Sequence, residues 1–156
     1  MKLLRTAFIP IVLALLYFAS CSDDNTTNTG IYHVIDPTIL QTDQFGNILG
    51  GDTTDWCFNG GNGVSFNPSY PNPTNDTLRL HFVIAQPDTL TLYFLDSSTD
   101  TAFLMNNHPV QNGFYELEIS SKALGYNNVI KRLYLKVKNH PNNSPYCRYY
   151  GDVQFF

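Results

Sequence analysis

Glu116 and Glu118 form a pair of carboxylates that acid–base chemistry could use. They lie two residues apart in an alternating run from Phe114 to Ile119, so both side chains are predicted to leave one face of the same strand. Enzymes that hydrolyse glycosides hold their two carboxyl groups about 5–10 Å apart across a cleft. A small β-sandwich, the fold to which the strands of this chain point, offers no obvious cleft. The polar, solvent-facing side of a half-buried strand explains the pair more simply, so we expect no catalytic residue.

The histidines and serines also lack the spacing of a catalytic or metal-binding motif. No histidine lies two or four residues from another, and no serine stands in the G-x-S-x-G pattern of a nucleophile. Four Asx residues could supply oxygen ligands to calcium, but their spacing does not match a calcium-binding loop, and such side chains commonly bond to their own turns. These four are Asp43, Asn47, Asp52 and Asp55. The sequence therefore predicts neither a metal nor a cofactor.

The three cysteines are the remaining reactive side chains, and their odd number needs an explanation. Cys21 follows two small residues at the end of an apolar run too short for a comfortable transmembrane helix, and Lys2 and Arg5 precede that run. This arrangement resembles the signal peptide of bacterial lipoproteins, in which a lipid is attached to the cysteine sulfur and the chain is cut before it. The resemblance implies that residues 1–20 are a signal peptide and that a lipid on Cys21 holds the protein to a membrane. The alternative is an ordinary secretory signal with an incidental cysteine.

An acidic stretch and a polar stretch follow the predicted lipidation site. Ser22-Asp23-Asp24 resembles the surface-export signal of some Gram-negative lipoproteins, which implies an outer-membrane location and exposure at the cell surface. A solvated linker is the alternative interpretation of this acidic stretch. Residues 21–30 as a whole are polar and of low complexity, which is typical of a flexible tether.

Cys57 and Cys147 remain as a pair in an oxidising compartment, where disulfides form. Their bond would join a lead-in segment, residues 31–64, to the C-terminal tail across the whole predicted fold. Closing a loop of about 90 residues contributes ~4.5 kcal/mol in the chain-entropy account. Trp56, the only tryptophan, could pack on the bridge. Metal binding is the alternative role for two such cysteines, and their wide separation disfavours it.

Composition and charge limit the class of partner. Charged residues make up 14% of the 156-residue chain and aromatic residues another 14%, a mixture that favours a packed β-protein over a disordered chain. Removing Lys2 and Arg5 with the signal peptide leaves seven basic residues against 13 acidic ones, a net charge near −6. Nucleic-acid binding needs a concentrated basic surface, so we expect no nucleic-acid partner.

Residues 65–156 carry the pattern of an all-β domain. In Thr77–Ala85 and in Thr89–Leu95, apolar residues alternate with others, which is typical of half-buried antiparallel strands. Because only Gln86-Pro87-Asp88 separates these two runs, they are predicted to form the first hairpin. Asn112-Gly113, a pair that suits a tight hairpin turn, separates two further runs. About seven such strands predict a single antiparallel β-sandwich.

Several short motifs in this domain resemble a known family. They are Tyr70-Pro71-Asn72-Pro73, Gly113-Phe114-Tyr115, Leu124-Gly125-Tyr126 and the basic strand Lys131-Arg132-Leu133-Tyr134-Leu135-Lys136. Together they are similar to the Ig-like domain of flagellar hook-assembly proteins and to the C-terminal sorting domain of type IX secretion. The resemblance spans Ser65 to Lys138 and implies a seven-stranded Ig-like sandwich, read by export machinery and without catalysis. Here Asn139 to Phe156 continue beyond it as a C-terminal extension.

Aromatic side chains are the candidate binding surface. Tyr93 and Tyr134 fall on the polar sides of their strands, and Tyr149 and Tyr150 lie in the tail. Flat rings can stack on sugars or seat a partner protein, whereas core packing and cross-strand pairing are the structural alternatives. The sequence thus predicts a non-enzymatic, lipid-anchored envelope protein that acts as a structural or protein-interaction module. A type IX secretion sorting or accessory domain and a small carbohydrate-binding lipoprotein are the alternatives.

Overall fold

Nine β-strands and one short helix are formed by the residues that the computed structural model describes, which are 34–58, 63–96, 100–139 and 149–156. The strands are β1 Gln41–Thr42, β2 Ile48–Gly50, β3 Val64–Phe66, β4 Thr77–Ile84, β5 Asp88–Leu95, β6 Thr101–Val110, β7 Gly113–Ser120, β8 Val129–Val137 and β9 Tyr150–Phe155. The helix, α1 Ser121–Leu124, is a single turn. Within these residues no helix has the length and apolar character needed to cross a membrane. The predicted signal peptide, the tether and Cys147 lie outside the described residues.

Seven of the described strands form two antiparallel sheets that pack face to face. One sheet has the order β3-β4-β7 and the other the order β6-β5-β8-β9. β1 and β2 form a separate antiparallel hairpin. The all-β sandwich predicted from the sequence is confirmed. Among the described strands, β6 pairs with β5 in the four-stranded sheet and has no partner in the three-stranded one.

The core lies between the two sheets and is formed by alternate side chains of facing strands. In β4 these are Leu78, Leu80, Phe82 and Ile84, and in β5 they are Leu90, Leu92 and Phe94, each at most 1% exposed. Successive side chains of a strand point to opposite faces, so the residues between them lie on the outer faces. Burying one such side chain contributes about 1.5–3 kcal/mol. The apolar side chains that alternate in the sequence therefore hold the two sheets together by being buried between them.

The turns on either side of β5 and β6 correct two predictions. β4 and β5 do not form a hairpin, because β4 pairs with β3 and β7 whereas β5 pairs with β6 and β8. The chain crosses between the sheets after β4 and crosses back at Gln111 and Asn112, so the Asn-Gly pair does not close a hairpin either. The hairpin in this region joins β5 to β6, where the Asp96 N–H donates to the Asp100 carbonyl at 3.0 Å.

β9 changes the interpretation of the C-terminal extension. It pairs with β8 from Val129–Phe155 to Tyr134–Tyr150 and is the last strand of the four-stranded sheet. The stretch that resembles the sorting domain, residues 65–138, contains most of β3 and all of β4 to β8, one strand fewer than the resemblance implies. The tail therefore completes the sandwich. At the other end, the predicted lead-in segment stops one residue inside β3.

Candidate functional site

The structure divides the four tyrosines of the predicted binding surface. Tyr149 is 2% exposed and belongs to the core, so its assignment to a binding surface is wrong. The physical reason is the two-residue period of extended chain, which sends neighbouring side chains to opposite faces. Tyr150 consequently lies on the outer face while Tyr149 points inward. Burial raises the pKa of the Tyr149 phenol.

The other three tyrosines join Phe103 in a row across the outer face of the four-stranded sheet. Tyr93 is paired with Phe103 on β6 and with Tyr134 on β8, and Tyr134 is paired with Tyr150 on β9. Neighbouring ring centroids along this row, which we call the aromatic ladder, are 5.8, 5.2 and 5.5 Å apart. Sequence reasoning missed Phe103, because its place in the ladder depends on the pairing of β5 with β6.

The tyrosine rings of the aromatic ladder contact neighbouring rings or cations, whereas Phe103 at one end of the ladder is 54% exposed. Tyr93 and Tyr134 are stacked with their planes 9° apart, and Tyr93 is only 8% exposed. The Lys136 ammonium lies 5.0 Å from the centre of the Tyr93 ring, and the Arg132 guanidinium lies 4.6 Å from that of Tyr150. Sugar stacking needs an open aromatic face. The geometry therefore favours cross-strand stabilisation of the sheet as the role of the ladder.

An ion pair fixes the cation that covers Tyr150. Arg132 Nε and Nη2 donate to the two carboxylate oxygens of Asp152 at 2.7 and 2.6 Å. This bidentate contact raises the pKa of the Arg132 guanidinium and is a strong form of charge-assisted hydrogen bond. The Arg132 side chain therefore bonds to Asp152 and contacts the Tyr150 ring within the sheet. This is a further argument against a role of the ladder in ligand binding.

The candidate functional site is a groove on the outer side of the three-stranded sheet. It lies between the β1–β2 hairpin and this sheet, and its volume is about 520 Å³. We call it the hairpin groove, and its lining residues are Phe45, Gly46, Asn47, Ile48, Phe58, Asn67, Pro68, Tyr70 and His81. Phe45 is 75% exposed, Ile48 49% and Phe58 39%. Large apolar side chains that remain in water beside a groove are typical of a docking surface.

Tyr70 and His81 are joined where they line the hairpin groove. The Tyr70 hydroxyl lies 3.0 Å from His81 Nε2, and a Glu116 carboxylate oxygen lies 3.4 Å from the same nitrogen. The His81 ring also meets the rings of Tyr70 and Phe114 at angles of 81° and 64°. A catalytic triad uses both nitrogens of its imidazole, one for each partner, whereas here both partners meet one nitrogen. The arrangement therefore anchors Tyr70 and differs from a triad.

The turn between β1 and β2 holds Phe45 in place. Asp43 Oδ1 accepts from the backbone N–H groups of Phe45 and Asn47 at 2.8 and 2.9 Å, and Asp43 Oδ2 accepts from Asn47 Nδ2 at 2.8 Å. These bonds, above all the one from the Asn47 side chain, lower the pKa of the Asp43 carboxyl. Gly46 adopts a φ of 83°, a conformation that favours glycine, and its Cα faces the Tyr70 ring. Local hydrogen bonds therefore preorganise this wall of the groove.

Asp43 and Asp52, two of the four predicted alternatives for calcium ligands, bond to backbone groups of their own turns. Asp43 accepts bonds within its turn, and Asp52 Oδ1 accepts from the Thr54 N–H at 2.8 Å. The interpretation of these side chains as turn residues is confirmed for both positions. Among the residues that the structure describes, no group of three His, Cys, Asp or Glu side chains is arranged to hold a metal ion.

A second depression adjoins the hairpin groove at Tyr70. Its volume is about 410 Å³, and its lining residues are Gln44, Tyr70, Pro71, Thr77, Arg79 and Glu118. Arg79 Nη2 lies 3.0 Å from a Glu118 carboxylate oxygen. The combined surface is therefore apolar at the hairpin groove and charged at this end, which allows it to orient a partner that carries both kinds of group.

The residue before Cys57 contacts β9, the strand that follows Cys147 in the sequence. Cys57 is 1% exposed, and the N–H of the preceding residue, Trp56, donates to the Tyr150 carbonyl at 2.8 Å. Tyr150 follows Cys147 by three residues, a span of at most about 11 Å. Cys147 lies outside the described residues, so its disulfide with Cys57 stays a prediction. The contact between Trp56 and Tyr150 supports it.

Comparisons with protein-family models, with curated proteins and with solved structures each found no match. The fold alone therefore defines the class of this protein, which is an all-β antiparallel sandwich of two sheets. The resemblance of its motifs to hook-assembly and sorting domains stays a prediction.

Proposed function

We propose that this chain is a non-enzymatic, lipid-anchored protein of the outer membrane whose sandwich binds a partner protein through the hairpin groove. The observation that carries the docking site is the exposure of Phe45 and Ile48 beside a turn that hydrogen bonds hold in shape. The lipid on Cys21 would keep the sandwich at the membrane, and the polar tether would let it reach a partner. The anchor rests on the sequence pattern around Cys21.

The chemistry of the partner follows from the two ends of the surface. The exposed side chains of Phe45, Ile48 and Phe58 suit an aliphatic or aromatic side chain, because burying one contributes about 1.5–3 kcal/mol. Arg79 and Glu118 can meet polar groups at the rim, where charges add specificity more than affinity. A preorganised turn also lowers the entropic cost of association.

The two alternative functions have weaker support. A glycan would need several open ring faces, and the three tyrosine rings of the aromatic ladder contact neighbouring rings or cations, which leaves only Phe103 widely exposed in the ladder. A separable sorting domain would need residues 65–138 to form the sandwich by themselves, and β9 from outside that stretch pairs along β8. A protein-interaction module is therefore the function that the geometry supports best.

The three cysteines provide a test of the anchor. We expect the mature chain to begin at Cys21, to carry acyl chains on that residue, and to contain no free thiol because Cys57 and Cys147 are bonded. Mass spectrometry of the protein purified from membranes measures all three features. Cys21→Ala is expected to leave the membrane fraction with the other two cysteines still bonded. A Cys21→Ala protein that stays in the membrane, or a free thiol at Cys57 or Cys147, would contradict the corresponding assignment.

Photo-cross-linking in living cells tests the docking site. A photoreactive phenylalanine analogue at position 45 is expected to form one discrete adduct with a partner, because Phe45 is 75% exposed beside the hairpin groove. Adding Ile48→Asp to the same chain is expected to reduce the adduct at least about fivefold, since it sets a charge against an apolar contact. The measurement is the intensity of the adduct on a denaturing gel.

Position 103 is the matched control for this experiment. Phe103 is 54% exposed but lies on the outer face of the other sheet, so the analogue at this position should not give the same adduct. Equal adducts from positions 45 and 103 would count against the hairpin groove. So would an adduct that Ile48→Asp leaves unchanged.

A further inference from the structure

One side of the sandwich ends in two strands that have a neighbouring strand on one side only, within the described residues. These are β6 at the end of the four-stranded sheet and β7 at the end of the three-stranded sheet. The other two edges are partly covered. Cys57 and Phe66 exchange two backbone hydrogen bonds beside β3, and Thr74 bonds to Gln154 and Phe156 beside β9. The edges formed by β6 and β7 are therefore the more open pair.

An apolar groove of about 260 Å³ lies between β6 and β7. Its lining includes Leu104 and Met105 of β6, Leu117 of β7 and Leu124 of α1. These four side chains pack against the core but are only partly buried, whereas the inward residues of β4 and β5 are fully buried. The core is open on this side, and additional apolar side chains would extend it.

β7 is better suited than β6 to accept another strand. The pairing of β6 is interrupted by register shifts, and the strand contains Pro109, which has no N–H to donate. Both features discourage pairing at an edge. β7 pairs with β4 continuously from Gly113 to Ser120, without a register shift and without proline. A regular edge of this kind is a template for a further strand.

The outward side chains of β7 indicate the charge of the strand that it would accept. Glu116 and Glu118 leave the same face, and their side chains are 45% and 60% exposed. Arg79 Nε lies 3.9 Å from a carboxylate oxygen of Glu116, and Arg79 Nη2 lies 3.0 Å from one of Glu118. The two glutamates therefore share one permanent cation. Basic residues on an added strand would lie beside the glutamates and balance their charge. Pairing of β7 with a second copy, centred on Leu117, would instead set Glu116 opposite Glu118 of that copy.

We propose that β7 binds an extended segment of a partner protein as an added strand, with apolar side chains directed into the groove and basic side chains beside Glu116 and Glu118. Alternation of the two kinds of residue follows from the two-residue period of a strand. Main-chain hydrogen bonds supply affinity in this mode of recognition, and the alternate side chains supply specificity. No residue of β7 lines the hairpin groove, and only Glu118 lies in the depression beside it, so a substitution at Phe45 separates the two proposals.

Two synthetic peptides of about seven residues test the inference, one alternating lysine with valine and the other alternating glutamate with valine. Each is titrated into the acylated mature chain in detergent, and hydrogen exchange measured by mass spectrometry locates the protected amides. We expect the lysine peptide to bind at least about tenfold more tightly than the glutamate peptide. Protection is expected in residues 113–120 and not in residues 101–110.

Charge reversal separates specific pairing from general attraction. Glu116→Lys together with Glu118→Lys is expected to reverse the preference, so that the glutamate peptide binds more tightly. Asp36→Lys together with Asp100→Lys makes the same change in net charge outside β7 and is expected to preserve it. Phe45→Asp is also expected to leave peptide binding unchanged, which separates this edge from the hairpin groove.

Several results would overturn the proposal. They are a preference that the charge-reversed β7 leaves unchanged, protection confined to residues outside 113–120, and no binding of either peptide. Dimer formation by the peptide-free chain with protection of residues 113–120 would assign the edge to a second copy and overturn the proposed occupant.

Discussion

Asn72→Ala is expected to lower the free energy of unfolding by at least about 3 kcal/mol. Asn72 is 1% exposed, and its side chain bonds to three backbone groups from distant parts of the chain. Nδ2 donates to the carbonyls of Leu40 and Asp152 at 2.8 and 2.9 Å, and Oδ1 accepts from the Gln154 N–H at 3.0 Å. Alanine would leave these buried groups without that partner, at about 1–3 kcal/mol each. Urea unfolding followed by the fluorescence of Trp56 measures the change.

The effect arises because Asn72 connects the lead-in segment with β9. Its backbone N–H also bonds to Thr42, at 2.9 Å to Oγ1 and 3.2 Å to the carbonyl. Asn72→Asp should be no better than Asn72→Ala, since it sets an oxygen against the carbonyls of Leu40 and Asp152 and buries a charge.

Asn127→Ala is the matched control for this prediction. Asn127 is exposed, so the same substitution should change the free energy of unfolding by less than about 0.5 kcal/mol. A loss of less than about 1 kcal/mol in Asn72→Ala would show that these buried contacts do not hold the segments together.

Gly151→Ala is expected to cost about 2–3 kcal/mol of stability and to move the ring of Trp56. A Cβ at position 151 would lie 1.9 Å from Trp56 Cε2, far inside contact distance. The ring has little room to retreat, because it is 3% exposed and packs 5.1 Å from the Phe66 ring. The hydrogen bond from the Trp56 N–H to the Tyr150 carbonyl also fixes the two backbones beside each other. The measurements are the urea midpoint and the wavelength of Trp56 emission, which should shift to the red as the ring meets water.

Gly125→Ala separates this steric clash from the general cost of replacing a glycine. Gly125 ends α1 with a φ of 71°, and a Cβ there would meet no atom within 4 Å. The substitution should therefore cost only the backbone strain, roughly 1–2 kcal/mol, with no change in Trp56 emission. Equal emission spectra for Gly151→Ala and the unaltered chain would indicate that the Trp56 ring does not pack on Gly151.

The strands themselves could be predicted because their alternation is a local property. Leu78, Leu80, Phe82 and Ile84 recur every second residue, and all four face the core. The single helical turn after β7 was also predictable, since Gly125 supplies the left-handed C-terminal residue that ends it. The turn around Asp43 followed likewise from the tendency of Asx side chains to bond to nearby N–H groups.

The pairing of the strands could not be predicted in the same way. A strand with one apolar face has the same alternating sequence whether the next strand lies beside it in the same sheet or opposite it across the core. Local pattern therefore predicts hairpin turns at the short connections after β4 and after β6, although each connection carries the chain from one sheet to the other. Tyr149 and Tyr150 show a related limit, because a shift of one residue in register exchanges the inward and outward faces.

The candidate site depends on the same long-range information. Phe45 and Ile48 could be recognised as apolar residues beside a turn. Their neighbours in the groove, Tyr70 and His81, lie much later in the chain, so local sequence could not place them there. Phe103 joins the aromatic ladder only through the pairing of β5 and β6. The contacts of the tyrosine rings that weaken the glycan alternative also follow from strand pairing.

The sequence by itself thus determined the all-β class, the positions of most strands and the face that the regularly alternating strands β4 and β5 bury. These follow from the period of the extended chain and from the preference of apolar side chains to leave water. Only the tertiary structure decided which strands pair, which tyrosines are enclosed, that Phe45 and His81 line one groove, and that the edge of β7 is left open among the described residues. The physical reason is that these features depend on contacts between residues far apart in the chain, which no local spacing encodes.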